Sequence, residues 1–186
     1  MKIGVISDTH LFQDDIQRVP PETLHAFYGI DLILHCGDIF SLSVLDYLET
    51  LCPVIAVQGY KDTTDEDCRV RGRTWVVEAE DIRIGMVHDI NWPSPRLLTD
   101  DGLLEFPPEP IADITKIKFG SIVDVIVFGD THKPLITRHD GVLFVNPGSV
   151  LCFETEGQSS LGTVAILTVS AGKVSSEIIR LSRELK

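Results

Sequence analysis

Short, almost wholly apolar runs punctuate the chain. Three in its first third predict buried strands: KIGVIS at 2–7, DLILH at 31–35 and PVIAV at 53–57. Between them the apolar spacing turns helical. PPETLHAFYG has prolines at a helix start and Gly29 as a stop, and SLSVLDYLETL has Ser41 as an N-cap ahead of apolar residues one helical turn apart. Strands alternating with helices imply right-handed crossovers and a parallel sheet, which carries its sites at the carboxyl ends of its strands.

The second half reads differently. RTWVVEAEDIRIGMVH predicts a hairpin about Glu80 and Asp81, and segments 122–128, 135–138, 142–145, 161–169 and 174–181 predict further strands. Together they suggest a second, mixed sheet. Residues 91–121 hold Pro93, Pro95, Pro107, Pro108 and Pro110 and one helix candidate, IADITKIKFG, read as a loop with a helix overhanging the site. There is no low-complexity tract or periodic repeat, and 186 residues suit a single domain spanning 1–186.

Charge narrows the function. The net charge of −12, from 28 acidic against 16 basic residues, leaves no basic face for nucleic acid and suits carboxylates gathered around cations. Cys36, Cys52, Cys68 and Cys152 lack CxxC or zinc-finger spacing and read as reduced thiols. No signal peptide and no apolar run of membrane-spanning length is read. The expected location is the cytoplasm.

The chemistry lies in where acids and histidines fall. SDTH at 7–10 and GDTH at 129–132 each end an apolar run, Asp38 follows DLILH through CGD, Gly59 to Asp62 follow PVIAV, and His88 ends IRIGMV. Five strand ends thus carry ionisable or polar groups. In extended chain residues two apart face the same way, so Asp8 with His10, and Asp130 with His132, would each aim two side chains at one target. Carboxylate and imidazole together suit manganese, iron or zinc. A single Asp after a strand is commonly a cap or turn; five such ends make a pocket of ligands. His25 and His139 read as surface residues, and His35 either orients Asp38 or is a hydrogen-bonded core histidine. Trp75 reads as core, and Trp92 as loop packing near the pocket.

In order and spacing, SDTH, CGD, GYKD at 59–62, VHD at 87–89, GDTHKP at 129–134 and NPGS at 146–149 resemble the calcineurin-like metallophosphoesterases, in particular their small bacterial and archaeal phosphodiesterase branch. The resemblance covers about the first 150 residues. It implies an α/β fold, a four-layer α/β/β/α sandwich of two mixed sheets flanked by helices, with two metals at the sheet edge. Asp8, His10, Asp38 and His132 would hold the first ion, and Asp38, His88 and Asp130 the second. Two positions depart from the pattern: Tyr60 stands where the family has Asn, and Asp130 where it has His. Lys61 occupies a position that relatives fill with His or Cys, and could pair with Asp130 or hold a phosphate oxygen.

The function so implied is a metal-dependent phosphoesterase. It would hydrolyse phosphodiesters or activated phosphomonoesters with metal-activated water. Lys61 or His10 would serve the leaving group, Tyr60 and Lys61 would meet the substrate, NPGS would form a turn near the metals, and its Asn146 is either structural or catalytic. One or two divalent ions per chain are expected, manganese first, with iron, zinc or nickel as alternatives. The partner would be a small phosphoester, with no membrane, and a homo-oligomer is left open. The other reading is a catalytically weakened member that binds metal and acts as a protein-interaction scaffold, as the retromer scaffold subunit of this fold does. VLCFETEGQ after NPGS, in place of an arginine-containing stretch, points the same way.

Overall fold

A computed structural model describes residues 1–12, 19–62, 67–99, 102–153 and 159–182. The elements run β1 (Lys2–Ile6), α1 (Pro21–Ala26), β2 (Leu32–His35), α2 (Ser43–Glu49), β3 (Val54–Ala56), β4 (Thr74–Ala79), β5 (Ile82–Val87), α3 (Ile111–Phe119), β6 (Val125–Val127), β7 (Leu135–His139), β8 (Val142–Asn146), β9 (Leu151–Phe153), β10 (Ser159–Leu161), β11 (Thr163–Ser170) and β12 (Lys173–Arg180). Two five-stranded sheets result, ordered β12-β11-β1-β2-β3 and β4-β5-β6-β8-β7, with β9 and β10 a separate pair. β1, β2 and β3 are parallel, as are β5, β6 and β8, while β11, β12, β4 and β7 run antiparallel to their neighbours.

The apolar runs have no polar face because each central strand is covered on both sides. Ile3, Val5, Leu32 and Leu34 of the first sheet pack with Ile84, Met86, Val125, Val127, Leu143 and Val145 of the second, forming the layer between the sheets. The alternate residues face outward: Ile33, Val54 and Ala56 meet Phe27, Val44, Leu45 and Leu48 on the α1 and α2 side. Ile126, Val142 and Phe144 meet Ile111 and Ile114 of α3. The architecture is thus a four-layer α/β/β/α sandwich of two mixed sheets, as expected.

Several details differ from the sequence reading. The strands at 161–169 and 174–181 do not join the second sheet. β11 instead pairs antiparallel with β1 and extends the first, because Ala165, Leu167 and Val169 continue its inward face. Residues 159–161 form their own strand with β9, and the break falls at Gly162, whose N–H bonds Val150 O. Helix α3 closes the outer face of the second sheet and does not overhang the strand ends. The N-cap of α2 is Leu42 and carries no side-chain cap bond, so Ser41 is not the cap; its Oγ only accepts the Ser43 N–H at 3.3 Å. Trp75 is 42% exposed with the Arg71 guanidinium over its ring, so it is no core residue: it stands near the start of β4, the edge strand of its sheet.

Lys118 of α3 is buried, and its ammonium donates to Pro93 O. Burial pushes its pKa down to about 8, against a small opposing pull from Asp89. Below about pH 8 both folded and unfolded chains hold the proton. Between about 8 and 10.5 only the unfolded chain keeps it, so stability should rise with pH across that window, by on the order of 2 kcal/mol. Lys118→Met should flatten this rise in urea midpoints measured from pH 7 to 10.5. An unchanged pH profile in that variant would refute the assignment.

Candidate metal centre

Parallel strands of both sheets release their chains at one edge, where the ends of β1, β2, β3, β5, β6 and β8 meet. The loop after β1 runs alongside the loop after β2, with Asp8 N–H on Gly37 O, His10 N–H on Asp38 O and Leu11 N–H on Ile39 O. Within the second sheet Gly129 N–H bonds His88 O, and Asp130 N–H to Asp8 Oδ2 ties that sheet to the first.

The D-x-H pairs are not extended chain. Asp8 (φ 55°), His10 (49°), Asp38 (53°), Phe40 (72°), Asp130 (68°) and His132 (57°) are all left-handed, so the shared direction of each pair is imposed by tightly wound loops and not by pleat alternation. For an L residue this conformation costs roughly 1–2 kcal/mol, and Asp and His tolerate it better than most. Strain of this kind concentrates at functional sites.

The loops bring the ligand atoms together. His132 Nε2 lies 3.4 Å and His10 Nε2 3.7 Å from Asp8 Oδ1, and the two imidazole nitrogens are 3.0 Å apart. Asp38 spans the cluster: Oδ2 is 3.7 Å from His10 Nδ1, and Oδ1 is 3.6 Å from His88 Nε2. His88 Nε2 is also 3.9 Å from Asp130 Oδ1. Two compact sets of donor atoms form within this network, Asp8–His10–His132 and Asp8–Asp38–His88. Asp130 lies just outside them.

The electrostatics fit a cation. Burial raises the Asp8 carboxyl, but contacts with His132 and Ser7 oppose it and Asp8 stays below its ordinary value. Contact with Asp8 raises His132, whereas burial lowers His10 despite Asp38 and Asp8. Burial raises the Asp130 carboxyl. Asp8 Oδ1 and His88 Nε2 are buried without a well-aligned hydrogen-bond partner, a costly state unless something else binds them. His88 Nδ1 donates to Cys36 O at 2.9 Å, which leaves the Nε2 lone pair facing the cluster, the tautomer a metal ligand needs. Mixed carboxylate and imidazole donors suit a divalent ion.

Residues behind the cluster fix it. Asp62 accepts the N–H groups of Ile39 at 2.7 Å, Phe40 at 2.9 Å and Gly59 at 2.8 Å, clamping two strand-end loops. Asn146 Nδ2 donates to Gly129 O at 2.7 Å and its Oδ1 accepts the Gly148 N–H, while Ser149 Oγ donates to Asp8 O at 2.8 Å. NPGS is therefore a clasp on both D-x-H loops. His35 is buried, and burial pushes its pKa down to about 4. Its Nδ1 accepts the Gly37 N–H, so Nε2 carries the proton and donates to Thr9 Oγ1. The core histidine thus positions the residues flanking Asp8, His10 and Asp38.

The two departures from the pattern also have a geometry. The Tyr60 backbone N–H donates to Asp38 Oδ1 at 2.7 Å, but its ring swings over His88 and its hydroxyl donates to Asp89 Oδ2, so the side chain offers nothing to the cluster. Lys61 is exposed, its ammonium 5.7 Å from the Phe40 ring centroid and in no ion pair with Asp130, so of its two possible roles the pairing with Asp130 is not made. Phe40 in turn packs edge-on to His10, which keeps Lys61 at the rim. His25 is exposed, and His139 stacks on Phe106 away from the centre. Sequence reasoning missed the clamp of Asp62 and the Asp89 partner. Only their presence in GYKD and VHD hinted at either.

Two mixed sheets with carboxylates and imidazoles gathered at their shared edge define an α/β protein built around a candidate metal centre. The chain belongs to the calcineurin-like phosphoesterase superfamily, whose domain matches residues 1–172. A probable metallophosphoesterase of Methanothermobacter thermautotrophicus is 32% identical over 97% of this chain and 92% of its own. A phosphodiesterase of Methanocaldococcus jannaschii is 27% identical, with 90% of this chain and 92% of that one covered. Among solved structures, Vps29 of Entamoeba histolytica in complex with Zn²⁺ superposes with a TM-score of 0.62 at 21% identity, over 98% of this chain and all of that one; this shows likeness of fold.

Proposed function

We propose that this protein is a metal-dependent phosphoesterase acting on phosphodiesters or activated phosphomonoesters. Asp8, His10, Asp38 and His132 would hold one ion, and Asp38, His88 and Asp130 a second. The observation that carries the reading is the pair of buried metal-ligand atoms left without a well-aligned hydrogen-bond partner among the described residues, Asp8 Oδ1 and His88 Nε2, one in each half of a network spanned by Asp38. Bound divalent ions, manganese in this proposal before iron, zinc or nickel, supply a water of lowered pKa and neutralise phosphoryl charge. The chain orients the ligands through Asp62, Asn146, Ser149 and His35. Lys61 at the rim and His10 beside it are the groups placed to meet a phosphate oxygen or the leaving oxygen. Free thiols at Cys36, Cys52 and Cys68 support a reducing, cytoplasmic setting, and the whole chain is read as one domain.

The second reading, a metal-binding interaction scaffold, draws on Tyr60. With its side chain turned to Asp89, the second ion has fewer donors than the first. Metal analysis together with hydrolysis of an aryl phosphodiester in manganese separates the two. Two ions per chain with turnover are expected for the enzyme; about one ion and no turnover would overturn it and favour the scaffold. Tyr60→Asn should bring the second ion's occupancy up and raise turnover by about 10-fold or more, the usual scale for a residue tuning a metal site. No gain in either quantity would show that position 60 does not limit the centre.

A further inference from the structure

Beside His88 the surface opens into a recess of ≈50 Å³ lined by Gln58, Tyr60, Arg73, Val87, Asp89 and Trp92. Its two aromatic rings are not committed to the core, Trp92 being 41% and Tyr60 61% exposed. Both are held in place. The Arg73 guanidinium lies 5.1 Å from the Trp92 ring centroid, and Tyr60 packs edge-on to His88 at 5.3 Å with its hydroxyl donating to Asp89 Oδ2 at 2.7 Å. In a chain of net charge −12, a guanidinium kept at the rim of a carboxylate cluster suits an anionic ligand. The recess admits only the edge of a flat ring, and the exposed indole offers the surface on which such a ring stacks.

We propose that Trp92, Tyr60 and Arg73 form a subsite for a flat aromatic group carried by the phosphoester, a nucleobase or an aryl ring, with the phosphoryl group at the His88 end of the centre. The proposal rests on the phosphoesterase reading and deepens it by naming the substrate class. Continuity decides the occupant: Tyr60 binds Asp38 Oδ1 through its N–H and touches His88 with its ring, so a group on this shelf adjoins the cluster. It also gives Tyr60 a use that Asn could not serve.

The test uses the full-length chain loaded with manganese. Trp75→Phe leaves Trp92 as the sole tryptophan, because the chain has two. Its emission should be quenched by adenosine 5′-monophosphate or phenyl phosphate at concentrations at least about 5-fold below those needed for ribose 5-phosphate, which has the phosphate but no ring. Tighter binding of the nucleotide identifies a nucleobase subsite, and tighter binding of phenyl phosphate an aryl one. Calorimetry on the wild type and on Trp92→Ala should show the ring preference in the first and its loss in the second, and decides the matter should Trp75→Phe not fold. The proposal is overturned if ribose 5-phosphate binds as tightly as the ring-bearing ligands, or if Trp92→Ala keeps the preference. Failure to hydrolyse p-nitrophenyl diesters would instead count against the phosphoesterase reading, while the binding comparison still decides the subsite.

Discussion

Asp38→Asn should reduce bound metal by at least half and phosphodiester hydrolysis by more than about 100-fold, with the fold retained. Asp38 is the residue on which both halves of the cluster depend, with one carboxylate oxygen 3.7 Å from His10 Nδ1 and the other 3.6 Å from His88 Nε2. Asn has the same shape and can still accept the Tyr60 N–H, so the backbone loses little. The negative charge that would neutralise two cations is gone, and an amide NH₂ would point at one imidazole. Metal content, turnover and a thermal melt of the same sample test this together. Full metal content and turnover in the variant would remove Asp38 from the centre.

Gly59→Ala should cost about 3 kcal/mol or more and leave any folded remainder without metal. A Cβ at position 59 would lie 2.1 Å from Asp38 Oδ1 and 2.2 Å from the Asp38 backbone nitrogen. Neither atom can move away cheaply, since Asp38 is left-handed and Gly59 itself donates to Asp62. Gly129 makes the corresponding approach on the other sheet, where a Cβ would lie 2.0 Å from Ser7 Oγ and 2.6 Å from Asp8 Oδ2. The glycines before Tyr60 and Asp130 thus exist for close packing around the ligands, beyond any role in turns. A Gly59→Ala protein with an unshifted urea midpoint and unchanged metal content would contradict this packing.

The candidate site was legible to the extent that its residues follow buried strands. Burial on both faces writes an unbroken apolar run, and a polar residue can appear only where the run leaves the core. Asp8, Asp38, His88 and Asp130 therefore announced themselves. Asp62 did not, because a carboxylate that clamps three backbone N–H groups looks in sequence like any loop acid. Tyr60 and Lys61 stood out as departures, yet where their side chains turn depends on Asp89 and Phe40, which are distant or unremarkable in the chain.

What the sequence alone determined is the strands of the two five-stranded sheets, the hairpin at Glu80 and Asp81, the helix ending at Gly120, and the candidate ligand residues at the strand ends. All of these depend on local burial and backbone preference, which neighbouring residues encode. Tertiary structure alone decided that β11 and β12 complete the first sheet, that Trp75 stays outside, and that the D-x-H pairs converge through left-handed loops. Those outcomes turn on which apolar faces meet across the fold and which distant carbonyls take the loop N–H groups. No short stretch of sequence holds that information.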